Sequence, residues 1–144
     1  MLIKLSNEEI VTYWDDVKDT LKFALPPTAD VEGDEASLNS ILQMLLEGFM
    51  QAWALLGDNA VHAIVITTIQ HDLGMGTKSL LIYSLYGFKL IDASLWQDGL
   101  STLRTYAKDN ACVYITGYTK VPRIVEVVKE LGGDVSTLFI KLEV

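Results

Sequence analysis

The sequence has one cysteine, two histidines and three prolines in 144 residues. The lone cysteine, Cys112, excludes an internal disulfide and is typical of a reducing compartment. No uncharged apolar run approaches the roughly 18 residues that a membrane-spanning helix needs. The opening MLIKLSNEEI also lacks the basic segment, apolar run and cleavage site of a secretory signal peptide. We therefore expect a cytoplasmic protein with no membrane span, in a host cytoplasm or a virion if a phage encodes it.

Basic residues are also scarce. Eleven Lys and Arg face nineteen Asp and Glu, which gives a formal net charge of −8. Such a surface repels nucleic acid and anionic membranes, and no basic stripe is present to overcome that repulsion. We expect no nucleic-acid partner and no membrane partner. The acidic residues are densest from Asp30 to Glu35, and we predict that this segment is a solvated loop.

The few metal-binding residue types do not form a ligand pattern. The two histidines and Cys112 lack the spacing of a metal site, so we expect no bound metal. A base formed by His62 with a glutamate, or by His71 with Asp72, is conceivable. However, adjacent side chains on a strand point to opposite faces, which disfavours the second pair.

The length suits one domain, 1–144, with its own core. Ser6 with Glu9 forms a capping-box pattern, and Ser94 with Gln97 repeats it. Pro26 and Pro27 stop the first helix, and Pro122 suits the first turn of another. Apolar periodicity predicts helices over about 7–24, 35–48, 95–107 and 122–131, and strands over about 50–56, 60–69, 80–88, 112–118 and 136–144.

This order predicts an α/β fold with a mixed sheet. Antiparallel hairpins come first, and a strand–helix–strand crossover follows. We expect six or seven strands, mostly antiparallel, with one parallel crossover pair and four helices. The crossover pair is predicted at about Leu80–Phe88 and Cys112–Thr116, joined by the helix that contains Trp96 and Leu103. We expect the core to depend on Trp14, Trp53, Trp96 and the Leu100–Leu103 stripe, and Cys112 to be an inert buried thiol.

The segment QHDLGMGTKS, at positions 70–79, has the glycines and the lysine of a phosphate-binding loop. A P-loop requires the spacing GxxxxGK[ST] between a strand and a helix. Here an extra residue separates glycine from lysine, and the strand-like LLIYSLY follows. We therefore predict a hairpin turn, in which Gly74 and Gly76 supply positive φ angles while Asp72 and Thr77 bond their own backbone.

The element order and several motifs resemble the GNAT family of acyl-CoA-dependent N-acyltransferases. LSTLRTYAKDNACVYITGY is similar to that family's main helix and fifth strand, and IVEVVKELGGD to the helix after it. AWAL, SLYGF and the terminal L-x-K-x-x resemble most closely short phage-encoded GNAT-like proteins. The resemblance covers most of the chain and implies a GNAT-like fold.

The sequence departs from the family at its coenzyme A loop. That loop has Gln or Arg, two residues, Gly, one residue, then Gly or Ala, directly before the main helix. Gln70, Gly74 and Gly76 approach this pattern with one residue too many and with an entire strand before the helix. The segment in the loop's place, GFKLIDASLWQ, has a single glycine, Gly87, and larger side chains keep a backbone away from a pyrophosphate. We therefore expect no cofactor.

The resemblance also implies two catalytic positions that this chain fills with apolar residues. Alignment on KELGG places Val128 where the family has a proton-donating tyrosine and Val121 where it has an asparagine. Tyr114 and Tyr118, on or after the fifth strand, could donate from another direction. We assign no catalytic, cofactor-binding or metal-binding residue.

Three functional hypotheses follow. The first is a GNAT-fold protein that has lost acyl-CoA binding and acts through contacts with a protein partner, in a virion or against a host factor. The second is an active acetyltransferase that uses acetyl-CoA, with Lys89 or Lys78 and backbone amides on the phosphates. The third is a small α/β binding domain unrelated to the family. The three hypotheses differ at the strands predicted over 80–88 and 112–118, which correspond to the family's fourth and fifth strands. A coenzyme site requires a gap between these strands, and Phe88, Leu90 or Trp96 would otherwise fill it. The sequence does not indicate an oligomeric state.

Overall fold

The computed structural model describes residues 1–29 and 34–144. Residues 30–33 of the predicted acidic loop lie outside that description. The elements in chain order are β1 (Leu2–Lys4), α1 (Asn7–Thr12), α2 (Trp14–Phe23), α3 (Glu35–Leu46), β2 (Met50–Gly57), β3 (Ala60–Asp72), β4 (Thr77–Gly87), α4 (Ala93–Asp109), β5 (Cys112–Gly117) and α5 (Pro122–Glu130).

The described strands form one mixed sheet in the order β1-β2-β3-β4-β5. All neighbouring strands are antiparallel except β4 and β5, which are parallel and joined by the crossover helix α4. The predicted mixed, mostly antiparallel architecture and its crossover pair are confirmed. Asp58 and Asn59 form the β2–β3 turn with φ angles of 49° and 58°, the left-handed conformation that two-residue hairpin turns require.

The element counts differ from the prediction, with five strands and five helices among the described residues. The short edge strand β1 was missed because its three residues precede any detectable alternation. The first helix is divided at Tyr13, whose φ of −103° and ψ of 15° end α1 before α2 begins.

The predicted final strand over 136–144 is wrong. Among the described residues, no backbone hydrogen bond joins this segment to the sheet. Side chains anchor it instead, because the Phe139 ring packs edge-on against Tyr118 at 5.0 Å and Lys141 Nζ donates to the Pro27 carbonyl at 3.2 Å. Alternation specifies which side chains share a face, but it does not supply a neighbouring strand.

The helix ends follow the local sequence closely. The Ser6–Glu9 capping box is present at α1, and Asp34 caps α3. Helix α4 is capped by Asp92, whose carboxylate accepts the Leu95 amide at 2.8 Å, and this corrects the capping pattern predicted at Ser94. Pro122 occupies the first turn of α5, as predicted.

The sheet separates two apolar clusters. Helices α1, α2 and α3 cover one face, where Leu21 and Leu38 of the helices and Ile66 of β3 are fully buried. Helix α4 covers the other face, where Trp53 and Leu103 are 3% and 5% exposed. Trp14 and Trp96 are half-buried at the margins, so of the predicted tryptophans only Trp53 is central to the core.

In the described part of the chain, no helix has the length and apolar content required to cross a membrane.

Candidate functional site

The QHDLGMGTKS segment is the turn between β3 and β4, as predicted. Asp72 organises it, because its carboxylate Oδ1 accepts the amides of Gly74 and Met75, each at 3.0 Å, and its carbonyl accepts the Gly76 amide at 2.8 Å. Gly76 has a φ of +68°, whereas Gly74 is not among the residues with positive φ, which corrects that part of the prediction. The amides that a phosphate would require are therefore bound to Asp72.

Within the described part of the chain, neither histidine forms the acid–base pair that was conceivable from the sequence. His71 is exposed opposite Lys78, and Asp72 is occupied with the turn. His62 is buried, with Nδ1 3.2 Å from the Leu90 carbonyl oxygen and Nε2 3.0 Å from the Gly57 carbonyl oxygen. Which of these carbonyls accepts a hydrogen bond depends on the tautomer of the ring. The ring therefore fixes the segment after β4 against the β2–β3 hairpin.

The feature with catalytic potential is the stretch of β4 that continues beyond the end of its pairing with β5, which we call the wedge. The two strands pair in parallel from Lys78 to Ile82, and the last pair joins Ile82 to Gly117. One residue later β4 bulges, because Ile66 pairs with Ser84 and Thr67 with Ile82, which leaves Tyr83 as the extra residue. The rest of β4, up to Gly87, pairs only with β3 among the described residues.

A bulge of this kind bends the strand and re-aims its side chains. Backbone groups that this half of β4 turns toward β5 consequently have no strand partner within the described chain, and a ligand that presents amide groups can bond them. Tyr83 is partly buried at the bulge, and burial raises the pKa of its phenol. The hydroxyl therefore stays protonated at neutral pH.

Of the three side chains that could fill the wedge according to the sequence, two are largely exposed. Phe88 is 49% exposed and packs edge-on against Tyr86 with ring centroids 5.4 Å apart, and Leu90 is 89% exposed. Trp96 lies half-buried on the first turn of α4. Phe88 and Leu90 are therefore exposed rather than buried between the two strands.

The segment between β4 and α4 differs from a glycine loop in its hydrogen bonding. The amides of Phe88 and Lys89 both point to the His62 carbonyl, at 2.8 and 3.4 Å. Asp92 then places a carboxylate at the amino end of α4, where a helix dipole favours anions. A phosphate at this end would compete with Asp92, so any coenzyme site here uses a different set of donors from the family's loop.

Tyr118 directly follows Gly117, the last residue of β5 that pairs with β4. Its side chain is 40% exposed and packs edge-on against Phe139. Tyr114 pairs with Ser79, three positions before the last β4–β5 pair, and is 71% exposed. Val121 caps α5 without a side-chain hydrogen bond and offers no proton. The wedge itself had no local signal in the sequence, because it depends on a register shift between β3 and β4 and on the point where pairing with β5 ends.

Within residues 1–29 and 34–144, no cluster of three or more His, Cys, Asp or Glu side chains has the geometry to hold a metal ion.

The sequence matches no protein-family model and no curated protein. Solved structures match almost the whole chain. A predicted acetyltransferase with acetyl-CoA from Clostridium acetobutylicum has a TM-score of 0.70 at 15% identity, covering 99% of this chain and 95% of that one. An aminoglycoside acetyltransferase from an uncultured soil metagenomic sample has a TM-score of 0.72 at 15% identity, with 100% and 97% covered.

A third structure is the aminoglycoside acetyltransferase AAC(6')-Iy in complex with a bisubstrate analogue of coenzyme A. Its TM-score is 0.70 at 11% identity, and the match covers 99% of this chain and 96% of that one. At such identities the likeness demonstrates a shared fold. It also overturns the expectation of no cofactor, because structures of this fold were solved with acetyl-CoA or coenzyme A and point to a coenzyme A-type cofactor.

The wedge is consistent with such a cofactor, because the backbone of β4 there has no strand partner in the described chain. The loop before α4 offers fewer free groups, since the amides of Phe88 and Lys89 already point to the His62 carbonyl. Likeness over the full length, the β4 bulge and the parallel β4–β5 pair together establish that the chain has a GNAT-like fold.

Proposed function

We propose that this protein is an N-acetyltransferase that uses acetyl-CoA with a divergent coenzyme-binding loop. The observation that carries the proposal is the wedge, in which Tyr83–Gly87 of β4 lie beyond the last pair with β5. This replaces the hypothesis of a protein that has lost acyl-CoA binding, which the fold comparison does not support. A protein partner and a phage origin stay predictions.

The residues of the chain have distinct tasks in this proposal. The unpaired backbone of β4 beyond Tyr83 would bond the amide groups of the pantetheine arm. Lys89 lies in the segment before α4 and is suited to the phosphates. Lys78 pairs with Cys112 at the opposite end of the β4–β5 ladder, and this excludes it from that role. Asp92 reduces the attraction for phosphate, so we expect weaker coenzyme binding than a glycine loop would give.

The reaction is acyl transfer to an amine. Bound acetyl-CoA would supply the acetyl group as a thioester. A C–N bond forms as the C–S bond breaks, the nitrogen loses a proton, and the departing sulfur gains one. Tyr118, at the mouth of the wedge, is placed to donate that proton, a contribution typically worth about 10²–10⁴-fold in rate.

Gly117 provides a direct test of the wedge. A Cβ there would meet Ile82 Cβ at 3.7 Å and the Ile82 carbonyl oxygen at 3.8 Å, which is ordinary contact, so Gly117→Ala is a matched control. Gly117→Trp should obstruct the mouth and weaken acetyl-CoA binding by about tenfold or more. Isothermal titration with acetyl-CoA and desulfo-CoA measures the affinity, and mass spectrometry of candidate amines measures transfer.

Thermal unfolding of both variants checks that each remains folded. The proposal fails if the unmodified protein does not bind acetyl-CoA or desulfo-CoA and does not acetylate any amine. It also fails if Gly117→Trp and Gly117→Ala bind acetyl-CoA equally well, because the coenzyme would then lie outside the wedge.

A further inference from the structure

A groove of about 760 Å³ separates the α1–α2 helices from the end of the sheet near the β2–β3 turn. Its floor is formed by apolar side chains from three strands, among them Ile3, Ala54 and Ile64. Its volume lies in the range of about 300–1,000 Å³ that small-molecule sites occupy. The groove is therefore large enough to hold a metabolite-sized ligand.

Four aromatic side chains form one part of the groove wall: Tyr13, Phe23, Tyr86 and Phe88. Three of them form a continuous row, with ring centroids 5.8 Å apart for Phe23 and Tyr86 and 5.4 Å for Tyr86 and Phe88. Phe23 and Phe88 are 77% and 49% exposed, so the row forms a contiguous exposed apolar patch, a feature that marks binding grooves when polar residues border it. Aromatic faces attract organic cations within about 6 Å of the ring centroid.

Three carboxylates line the same groove: Glu9, Asp16 and Asp19. No Lys or Arg is among the described residues that line it. Lys22 Nζ lies 3.9 Å from Asp19 Oδ1, which makes a long ion pair. Glu9 accepts the Ser6 amide through Oε2 alone. Asp16 forms no ion pair within the described part of the chain. The groove thus combines negative charge with exposed aromatic faces, and this combination is complementary to an organic cation.

The groove adjoins the wedge. Tyr86 lies in the half of β4 that has no β5 partner and also forms part of the groove wall. We infer that the groove binds the acetyl acceptor, and that the acceptor is a small polyamine-type molecule with a second cationic amine besides the one acetylated. This inference rests on the proposed function.

The need for a second charge follows from the chemistry. An amine attacks a thioester only through its free lone pair, so the reacting nitrogen is uncharged when it reacts. Its own charge therefore cannot hold it in an acidic groove at that moment. A second amine, still protonated, can remain between the carboxylates and the aromatic row while the first reacts.

Spermidine is the probe, with butylamine as a monocation that matches only the four-carbon arm of spermidine. Isothermal titration without any coenzyme should show tighter binding of spermidine. Asp16→Asn should weaken spermidine binding by about fivefold, the equivalent of roughly 1 kcal/mol. Asp15→Asn is the matched control, since it removes the same charge from the same helix, and Asp15 faces Lys18 at 3.6 Å and does not line the groove.

Phe23→Ala distinguishes binding to the aromatic row from nonspecific attraction to the negative charges of the groove. Phe23 is largely exposed, so its truncation leaves the fold intact and should weaken spermidine binding by about threefold. Equal binding of spermidine and butylamine, or equal effects of Asp15→Asn and Asp16→Asn, overturns the inference.

The two proposals can fail separately. Spermidine binding that depends on Asp16, with no acetyl transfer to any amine, supports the groove and refutes the enzyme. Acetyl transfer that is equally efficient for spermidine and butylamine, and unchanged by Asp16→Asn, supports the enzyme and refutes the groove.

Discussion

A buried relay of three polar side chains joins β2 to β3 and offers the sharpest test of the folded core. Trp53 Nε1 donates to Thr67 Oγ1 at 2.9 Å, and Thr67 Oγ1 donates to Gln51 Oε1 at 2.9 Å. All three are buried, with exposures of 3%, 0% and 4%. The single Thr67 hydroxyl satisfies one group on each side, so Thr67→Val removes two hydrogen bonds at almost constant volume.

The expected loss can be worked from the groups left behind. A buried donor or acceptor without a partner costs about 1–3 kcal/mol, so the indole N–H and the amide carbonyl together cost about 2–6 kcal/mol. Gln51 Nε2 retains its bond to the Gly48 carbonyl at 3.3 Å, which limits how far the amide can reorient. We expect a loss near 3 kcal/mol, or roughly 6–12 °C in melting temperature for a chain of this length.

Urea unfolding followed by far-ultraviolet circular dichroism measures this loss. Thr68→Val is the control, because Thr68 donates to the Phe49 carbonyl at 2.9 Å at a more exposed position where water can replace it. That variant should lose about 1 kcal/mol or less. Adding Gln51→Leu to Thr67→Val should recover part of the stability, since it removes one orphaned acceptor. A loss below about 1 kcal/mol for Thr67→Val, or one equal to the control, would refute the reasoning.

Three further outcomes follow from the structure. Leu103→Ala should lower the free energy of unfolding by about 2–5 kcal/mol, because Leu103 is 5% exposed between α4 and the sheet, and a loss under about 1 kcal/mol contradicts that packing. Tyr118→Phe should reduce the acetyl-transfer turnover by about 100-fold with acetyl-CoA affinity unchanged, whereas Tyr114→Phe should retain full turnover, and equal effects exclude Tyr118 as the proton donor. Burial raises the pKa of the Cys112 thiol, and the charge of Lys78 offsets this only in part, so the midpoint of its pH–alkylation profile should lie above that of a free cysteine; a lower midpoint contradicts this.

Much of the fold was predictable because its signals are local. The Ser6 capping box, Pro122 at the start of α5 and the strands around Asp58 and Asn59 all depend on residues a few positions apart. The crossover of β4 and β5 through α4 followed from the order of these elements. The resemblance to the GNAT family then indicated the fold, which solved structures confirmed over the length of the chain.

The site followed from contacts between residues distant in sequence. Absence of a glycine loop around Gly87 suggested that no coenzyme could bind, a conclusion drawn from one local pattern. The wedge depends instead on the bulge at Tyr83 and on the end of strand pairing at Gly117. The local amino-acid composition predicts neither feature. The groove likewise requires α2 to place Phe23 against Tyr86, 63 positions later in the chain.

The terminal segment illustrates the same division between sequence and tertiary structure. Alternating residues over 136–144 determined that one side of the segment would be apolar, because side chains in an extended chain alternate with period two. Whether the segment joined the sheet depended on a free strand edge in the right register. The folded chain instead holds it through the contacts of Phe139 and Lys141, so the sequence determined its local pattern and only the tertiary structure decided its partners.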